Sequence, residues 1–379
     1  MKIELTSEHL SEQAEYKSFV DEEVIPVADQ YDQQERIPRE LINKIARLGY
    51  LGALAPKAAG GRGMDMITFG LLNEELGRGC SSLRSLLTVH SMVAQTISRW
   101  GSRWQKERWM RRLATGAAIA AFGLTEPDVG SDARSIETNA TLSGDRYVLN
   151  GNKKWITFGQ IADLFLIFAQ CEGGPAAFLV EKMSPGLSVN PISNMLGTRA
   201  SMLAELRFQD CPVPLENLIG KPGFGVSHIA SSALDCGRYS VAWGCLGLAR
   251  ACLEASVRYA ARRKQFGGIL IDFQLIQRMI SDMITNIRAT RLLCLHAGYL
   301  RNVSDPAATM ETSIAKYFAS RTASKASSDA VQIHGANGCS GEYQVQRYFR
   351  DAKIMEIIEG STQIHQLNIA RQCYREYLS

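Results

Sequence analysis

Glu359 is the residue around which a chemical reading of this chain forms. It lies in the run RDAKIMEIIEGSTQIHQ, from Arg350 to Gln366. A helix-like stretch, Ala352 to Ile358, ends at Glu359-Gly360, and a second helix opens at Ser361-Thr362. Gly360 stands where a helix C-terminus favours a left-handed residue. Ser361 and Thr362 are N-cap types. The glutamate is therefore expected at a helix-to-helix corner, beside Ile357 and Ile358. A carboxylate in apolar surroundings has a raised pKa and can take a proton near neutral pH. Taken alone, Glu359 also fits the solvated last residue of a helix. A second polar set, Arg84, Thr88, His90 and Ser91, shares one helical stretch. By itself His90 reads as an ordinary packed or surface histidine. No GxGxxG opens a βαβ unit, and no Walker, HExxH or Cys/His zinc spacing is present, so no metal site is expected.

The elements that must hold these residues follow from the periodicity. Hydrophobic residues are 46% of the 379 and charged residues 21%, which describes a globular chain with two or three packed regions. A net charge of +4 is too small to argue for nucleic acid. No apolar run is long enough to span a bilayer. The N-terminus has no signal-peptide core, and the nine cysteines lack CxxC spacing, so reduced thiols in a cytoplasmic protein are expected. Residues 1–117 read as helices. One is capped by Ser7 and runs toward Val24, and another starts at Pro38 and ends at Gly49. A capping box is expected at Ser102 and Gln105. Residues 118–225 read as strands, with a hairpin turn at Ser143-Gly144-Asp145 and buried runs at Ala162–Ala169 and Ala176–Val180. Residues 226–379 carry long helical patterns, roughly Ser231–Arg262, Phe273–Asn302 and Thr312–Gln332, with short connections that suggest an antiparallel bundle. Separate blocks of helix, strand and helix make an α+β chain.

The run around Glu359 closely resembles the C-terminal signature of the acyl-CoA dehydrogenase family. The resemblance extends over nearly the whole chain. It includes Phe122-Gly-Leu-Thr-Glu-Pro-Asp-Val-Gly-Ser-Asp132, Asn152-Lys-Lys-Trp-Ile-Thr-Phe158, Leu234-Asp-Cys-Gly-Arg238, Arg262-Arg-Lys-Gln-Phe-Gly-Gly268 and Gln332-Ile-His-Gly-Ala-Asn-Gly338. It implies an N-terminal helical domain, a middle β-barrel or sheet domain and a C-terminal four-helix bundle, with FAD as cofactor. Glu359 would remove the α-proton of an acyl thioester while the β-hydrogen leaves as hydride to flavin N5. Arg238 would sit near that carboxylate and the thioester arm. Some members place the base one residue before this arginine, and here that residue is Gly237. Phe122, Leu124, Thr125, Gly130 and Ser131 would contact the flavin, Trp155 and Thr157 would cover its other side, and Ser361 and Gln363 would complete the site. A flat ring needs an aromatic or apolar wall with a few tuning donors. Arg263, Phe266, Gln274, Gln332 and Gly335 would serve the FAD of a neighbouring subunit, making a homodimer the minimum assembly and a homotetramer common. The family's usual second glycine after Gly335 is Ala336 here.

The substrate would meet Arg84, Thr88, His90, Ser91, Ser131, Asp235, Arg238 and Gly360. Cys80-Ser-Ser-Leu-Arg-Ser85 and Gly237-Arg-Tyr-Ser-Val-Ala-Trp-Gly-Cys245 are similar to one branch, from polyketide and hybrid peptide pathways. That branch oxidises a small hydroxyacyl or aminoacyl group on an acyl carrier protein, toward hydroxymalonyl- or methoxymalonyl-type extender units. A short-chain acyl-CoA dehydrogenase is the alternative, since carrier protein and CoA share the phosphopantetheine arm. A flavin oxidase or monooxygenase on the same fold and a non-catalytic carrier-binding relative complete the set. Electrons would pass to an electron-transfer flavoprotein or another acceptor.

Overall fold

The computed structural model describes residues 4–378. Helix α1 (Ser7–Phe19) is capped by Thr6, whose side chain and that of His9 exchange bonds with each other's backbone N–H. The cap thus falls one residue before the expected Ser7, because the hydroxyl three residues before His9 is that of Thr6. The chain then passes through irregular turns carrying Pro26 into α2 (Ala28–Gln34) and α3 (Arg39–Arg47). Gly49 follows α3 at φ +75°. Next come α4 (Met66–Gly79), α5 (Ser81–Trp100) and α6 (Arg103–Ala114), the last opened by the Ser102/Gln105 capping box.

Eight strands follow: β1 (Ala120–Gly123), β2 (Asn139–Ser143), β3 (Arg146–Ile156), β4 (Leu164–Ala169), β5 (Ala176–Glu181), β6 (Leu187–Pro191), β7 (Ala204–Pro214) and β8 (Leu218–Ile219). They form two four-stranded sheets, ordered β1-β4-β5-β8 and β2-β3-β7-β6. Ser143 pairs with Arg146 across Gly144-Asp145, so the expected hairpin is present. Strand β4 is buried along its whole length because both of its faces are covered. Leu164, Leu166 and Phe168 join a core with Trp109 and Leu113 of α6, while Phe165, Ile167 and Ala169 pack toward Leu149, Leu206 and Phe208 of the second sheet.

The chain ends in α7 (Ser231–Ala260), a small hairpin β9 (Lys264–Gln265) and β10 (Gly268–Ile269), then α8 (Gln274–Asn302), α9 (Ala308–His334), α10 (Val345–Met355) and α11 (Thr362–Leu378). The N-terminal α4 packs on α7 and α8, so helices from both ends of the chain share one core. A Cβ at Gly247 of α7 would lie 1.9 Å from the Glu74 carbonyl of α4, so the two backbones touch where only glycine fits. Helix α10 is tied to both other regions. Arg350 pairs with Asp32 at 2.5 Å and Arg347 with Asp29 at 2.6 Å, and Asp351 accepts the Thr198 N–H at 2.6 Å. That fixes the direction in which the chain leaves α10, and four residues later it reaches Glu359.

Candidate active site

Glu359 sits between α10 and α11 in the left-handed region, at φ +56°, followed by Gly360 at φ +97°. The corner is therefore made by two residues, not by the glycine alone. Its side chain turns inward. Oε2 is fully buried and has no hydrogen-bond partner. Of the two isoleucines expected beside it, Ile357 is 56% exposed and points to solvent, whereas Ile358 is half-buried against the helical core. The wall comes from α5 and α7. A Cβ at Gly237 would lie 2.4 Å from Glu359 Oε2 and 2.9 Å from Met92 Sδ. The missing side chain at 237 is the space in which the carboxylate rests. Burial raises its pKa to about 7 against the pull of Arg238, Lys316 and Arg84.

Arg238 does not bond the carboxylate. Its Nε donates to the Glu359 backbone carbonyl at 3.0 Å. Two residues that the sequence reading missed join it there: His365 Nε2 lies 3.3 Å from the same carbonyl, and Lys316 Nζ donates to the Gly360 carbonyl at 2.8 Å. The available signal was Lys316 itself, a long cation on the helical stripe of Ser313, Ala319, Ser320 and Ala323, at a position that proves fully buried.

Arg84, Thr88 and Ser91 lie on one face of α5, at i, i+4 and i+7. Arg84 is buried, its Nη1 donating to Thr88 Oγ1 at 2.8 Å and its Nη2 lying 3.3 Å from Met355 Sδ. Among the described residues no carboxylate forms an ion pair with Arg84, Arg238 or Lys316. The Ser91 hydroxyl is buried without a partner. His90 does not belong to this stripe, which corrects its expected place among the substrate contacts. Its Nε2 faces the Leu113 carbonyl at 3.0 Å and its Nδ1 accepts the Ala120 N–H at 3.2 Å. Burial lowers its pKa to about 4, so it is a neutral rivet between α5, α6 and β1. Asp235 is paired through Oδ2 with Arg301 at 2.6 Å, and its Oδ1 is buried without a partner.

The flavin-type residues line a separate wall. Leu124 is buried, Phe122 and Thr125 are half-buried, and Gly130 and Ser131 are exposed at the rim. Beneath them Lys153, fully buried, reaches Glu126 Oε1 at 2.6 Å and the Leu124 carbonyl at 3.1 Å. Glu126 also accepts the Thr138 N–H at 2.9 Å. The Thr125 carbonyl accepts the Lys154 N–H at 2.9 Å, whereas the Thr125 N–H bonds to no backbone carbonyl. Trp155 is held at φ +63° and is 44% exposed, although it is a large apolar residue. Thr157 follows it, half-buried. A partly exposed indole, with the Lys154 ammonium over its ring at 4.8 Å, beside an unspent N–H suits a flat, hydrogen-bonding ring, so these residues fit a flavin.

The second expected group is not at Glu359. Arg263, Gln274, Gln332 and Gly335 are exposed, and Phe266 is 96% exposed at the tip of the β9–β10 hairpin. Arg263 also lines a cavity of about 870 Å³ with Arg262, His334, Asn337 and Tyr343, away from the carboxylate. Ser361 caps α11 by accepting the Ile364 N–H at 3.4 Å, and Gln363 is exposed. No group of three or more His, Cys, Asp or Glu suited to a metal occurs among the described residues. None of their helices is long and apolar enough to cross a membrane.

A helical body with a two-sheet insert, an aromatic wall and an inward-turned carboxylate with no ion pair together define a flavin-type acyl-thioester oxidoreductase. The chain belongs to the acyl-CoA dehydrogenase family: its N-terminal, middle and C-terminal domain models match residues 6–117, 121–211 and 225–374. It is 38% identical to the rat (Rattus norvegicus) mitochondrial short-chain specific acyl-CoA dehydrogenase, over 100% of this chain and 92% of that one. The structure of butyryl-CoA dehydrogenase from Megasphaera elsdenii superposes with a TM-score of 0.95 at 35% identity, covering 99% and 100% of the two chains. That of FkbI, for biosynthesis of the methoxymalonyl extender unit of Fk520, does so at 0.87 and 31%, covering 96% and 99%. The chain is thus an acyl-CoA dehydrogenase-type oxidoreductase.

Proposed function

We propose that this chain uses FAD to introduce an α,β double bond into a short acyl-CoA thioester whose acyl end carries an oxygen function. Glu359 is the base. The observation that carries this is the Glu359 carboxylate, buried at Oε2, partnerless, and seated in the space left by Gly237. With a pKa of about 7 it is free to accept a proton in an appreciable fraction of molecules at neutral pH. Arg238, Lys316 and Arg84 stabilise the carboxylate before transfer, and burial favours the neutral acid after it. The Glu359 N–H bonds to no backbone carbonyl and is a donor for the thioester oxygen, where negative charge develops. Bound FAD would supply the acceptor for the β-hydrogen, which leaves as hydride. Phe122, Leu124, Thr125, Trp155 and Thr157 would hold its ring, with Gly130, Ser131, Ser361 and Gln363 at the edge. Arg263, Phe266, Gln274, Gln332 and Gly335 would reach the cofactor of a partner copy, so the working form is at least a homodimer.

The acyl end is argued from charge. Arg84, Arg238 and Lys316 all lie near Glu359 and form no ion pair with a carboxylate among the described residues, and Arg84 bonds Thr88 on the α5 face that also carries Ser91. A hydroxyl or carboxylate on the acyl group satisfies Arg84. An ammonium would add a fourth cation, which argues against the aminoacyl version. The full-length likeness to short-chain enzymes supports CoA as the carrier. Likeness to FkbI supports a second reading, a hydroxyacyl group on an acyl carrier protein. Anaerobic mixing of the yellow enzyme with each thioester tests both. Short hydroxy- or carboxyacyl-CoA is expected to bleach the flavin, with loss of bleaching in Glu359→Gln. Bleaching by the carrier-protein thioester alone selects the second reading, and equal bleaching by butyryl- and longer acyl-CoA refutes the polar-end argument.

A further inference from the structure

The carbonyls of Glu359 and Gly360 receive no backbone N–H. They are gripped by side chains from three helices: Arg238 of α7 and His365 of α11 on the first, Lys316 of α9 on the second. A glutamate held left-handed is strained and persists only where its surroundings over-determine it. We propose that Lys316 and His365 are positioning residues that, with Arg238, clamp these two carbonyls and so hold the Glu359 carboxylate in its seat against Gly237. The proposal rests on Glu359 being the base.

The two donors differ in what they add. Lys316 is fully buried, has no carboxylate partner among the described residues, and brings a positive charge toward Glu359. Burial pulls its pKa down to about 8, with Arg238 lowering it further and Cys245, Glu359 and Glu356 raising it. It therefore stays mostly protonated at neutral pH. His365 is buried too, and because Nε2 faces a carbonyl that nitrogen carries the proton. Its Nδ1 is left buried with no partner. Burial and the neighbouring Lys316 and Arg238 push its pKa down to about 3, so it donates without charge. The charged groups facing Glu359 are Arg84 from α5, Arg238 from α7 and Lys316 from α9. A further cation at 365 would draw Glu359 toward the ordinary carboxylate range and weaken it as a base. The neutral imidazole fixes the backbone and leaves the carboxyl basic.

The test reads the carboxyl directly. Infrared difference spectra between each variant and the same variant carrying Glu359→Gln follow Glu359 protonation against pH, without substrate. Lys316→Met is expected to raise the midpoint by about one pH unit, and Lys316→Gln, which keeps a donor, by a similar shift. His365→Leu is expected to leave the midpoint in place. It should slow single-turnover flavin reduction about tenfold or more at unchanged KM, with the rate restored by His365→Gln. An unmoved midpoint in both Lys316 variants, or a wild-type reduction rate in His365→Leu, overturns the clamp. If wild type bleaches with no thioester while the Lys316 midpoints still shift, the clamp stands and the proposed reaction fails.

Discussion

Replacing Gly237 by alanine puts a methyl group where the Glu359 carboxylate rests. The new Cβ would stand 2.4 Å from Oε2 and 2.6 Å from Cδ. Non-bonded atoms of this kind settle at about 3.5 Å, so the carboxylate must retreat by roughly 1 Å. The obstructing atoms are the end of a side chain, not backbone, so the base moves and the fold does not. Alanine in a helix interior is itself better than glycine by about 1 kcal/mol, which further separates the effect from stability. A misplacement of about 1 Å in a reacting group costs about 100-fold, equivalent to ~2.7 kcal/mol in the barrier. The assay is anaerobic stopped-flow reduction of the bound flavin, with FAD content and thermal unfolding measured on the same sample. Gly237→Ala is expected to retain FAD and its melting temperature while reduction slows by about that factor. Reduction at the wild-type rate would show that the carboxylate does not work from this seat.

Four further outcomes follow from the same geometry. The folded protein holds the Glu359 proton up to about 7, whereas an unperturbed glutamate releases it near 4.5. The stability this group contributes is therefore full below 4.5 and lost as pH rises through 7. Glu359→Gln should raise the melting temperature relative to wild type on the alkaline side of 7 and not below 4.5, as read by calorimetry at both ends. Lys153→Met leaves Glu126 buried without its cation. It should cost about 3–5 kcal/mol in urea unfolding and release FAD, whereas full FAD retention would detach this pair from the flavin wall. Phe266→Ala should leave the unfolding of one chain unchanged, because the ring is 96% exposed, while lowering FAD retention and assembly by sedimentation. His90→Phe removes both backbone contacts of the rivet and should lower stability by about 1–3 kcal/mol, with no change in preference among acyl thioesters.

The corner at Glu359 was legible because Glu-Gly-Ser-Thr carries a stop and a start signal in adjacent residues. The hairpin at 143–146 and the box at Ser102 were legible for the same reason: each is specified within a few residues. What lay beyond reach depended on other elements. Ile357 lies two residues before Glu359 and faces away from it, while Met92 and Gly237 are distant in sequence and form its wall. His90 has the type of a pocket residue, and its angle on α5, not its type, sends it to Leu113 and Ala120. Strand β7 runs to Pro214 despite Pro212, because Pro212 and its neighbours still pair with β3. Lys316 and His365 bond only to backbone, and a carbonyl left bare by a corner elsewhere in the chain leaves no trace in the residues that later serve it.

The helical core draws on Tyr16 near one end of the chain and Met355 near the other, whereas the core between the sheets uses only residues from Ala121 to Leu218. During synthesis α4 and α5 leave the ribosome long before α7 exists to cover them. The inter-sheet core can close as soon as Leu218 emerges, so the middle of the protein acquires its native packing before the beginning does. Helix α6 can settle on the first sheet, but the faces of α4 and α5 that α7 covers stay bare, and this is the interval in which a nascent chain would need a chaperone.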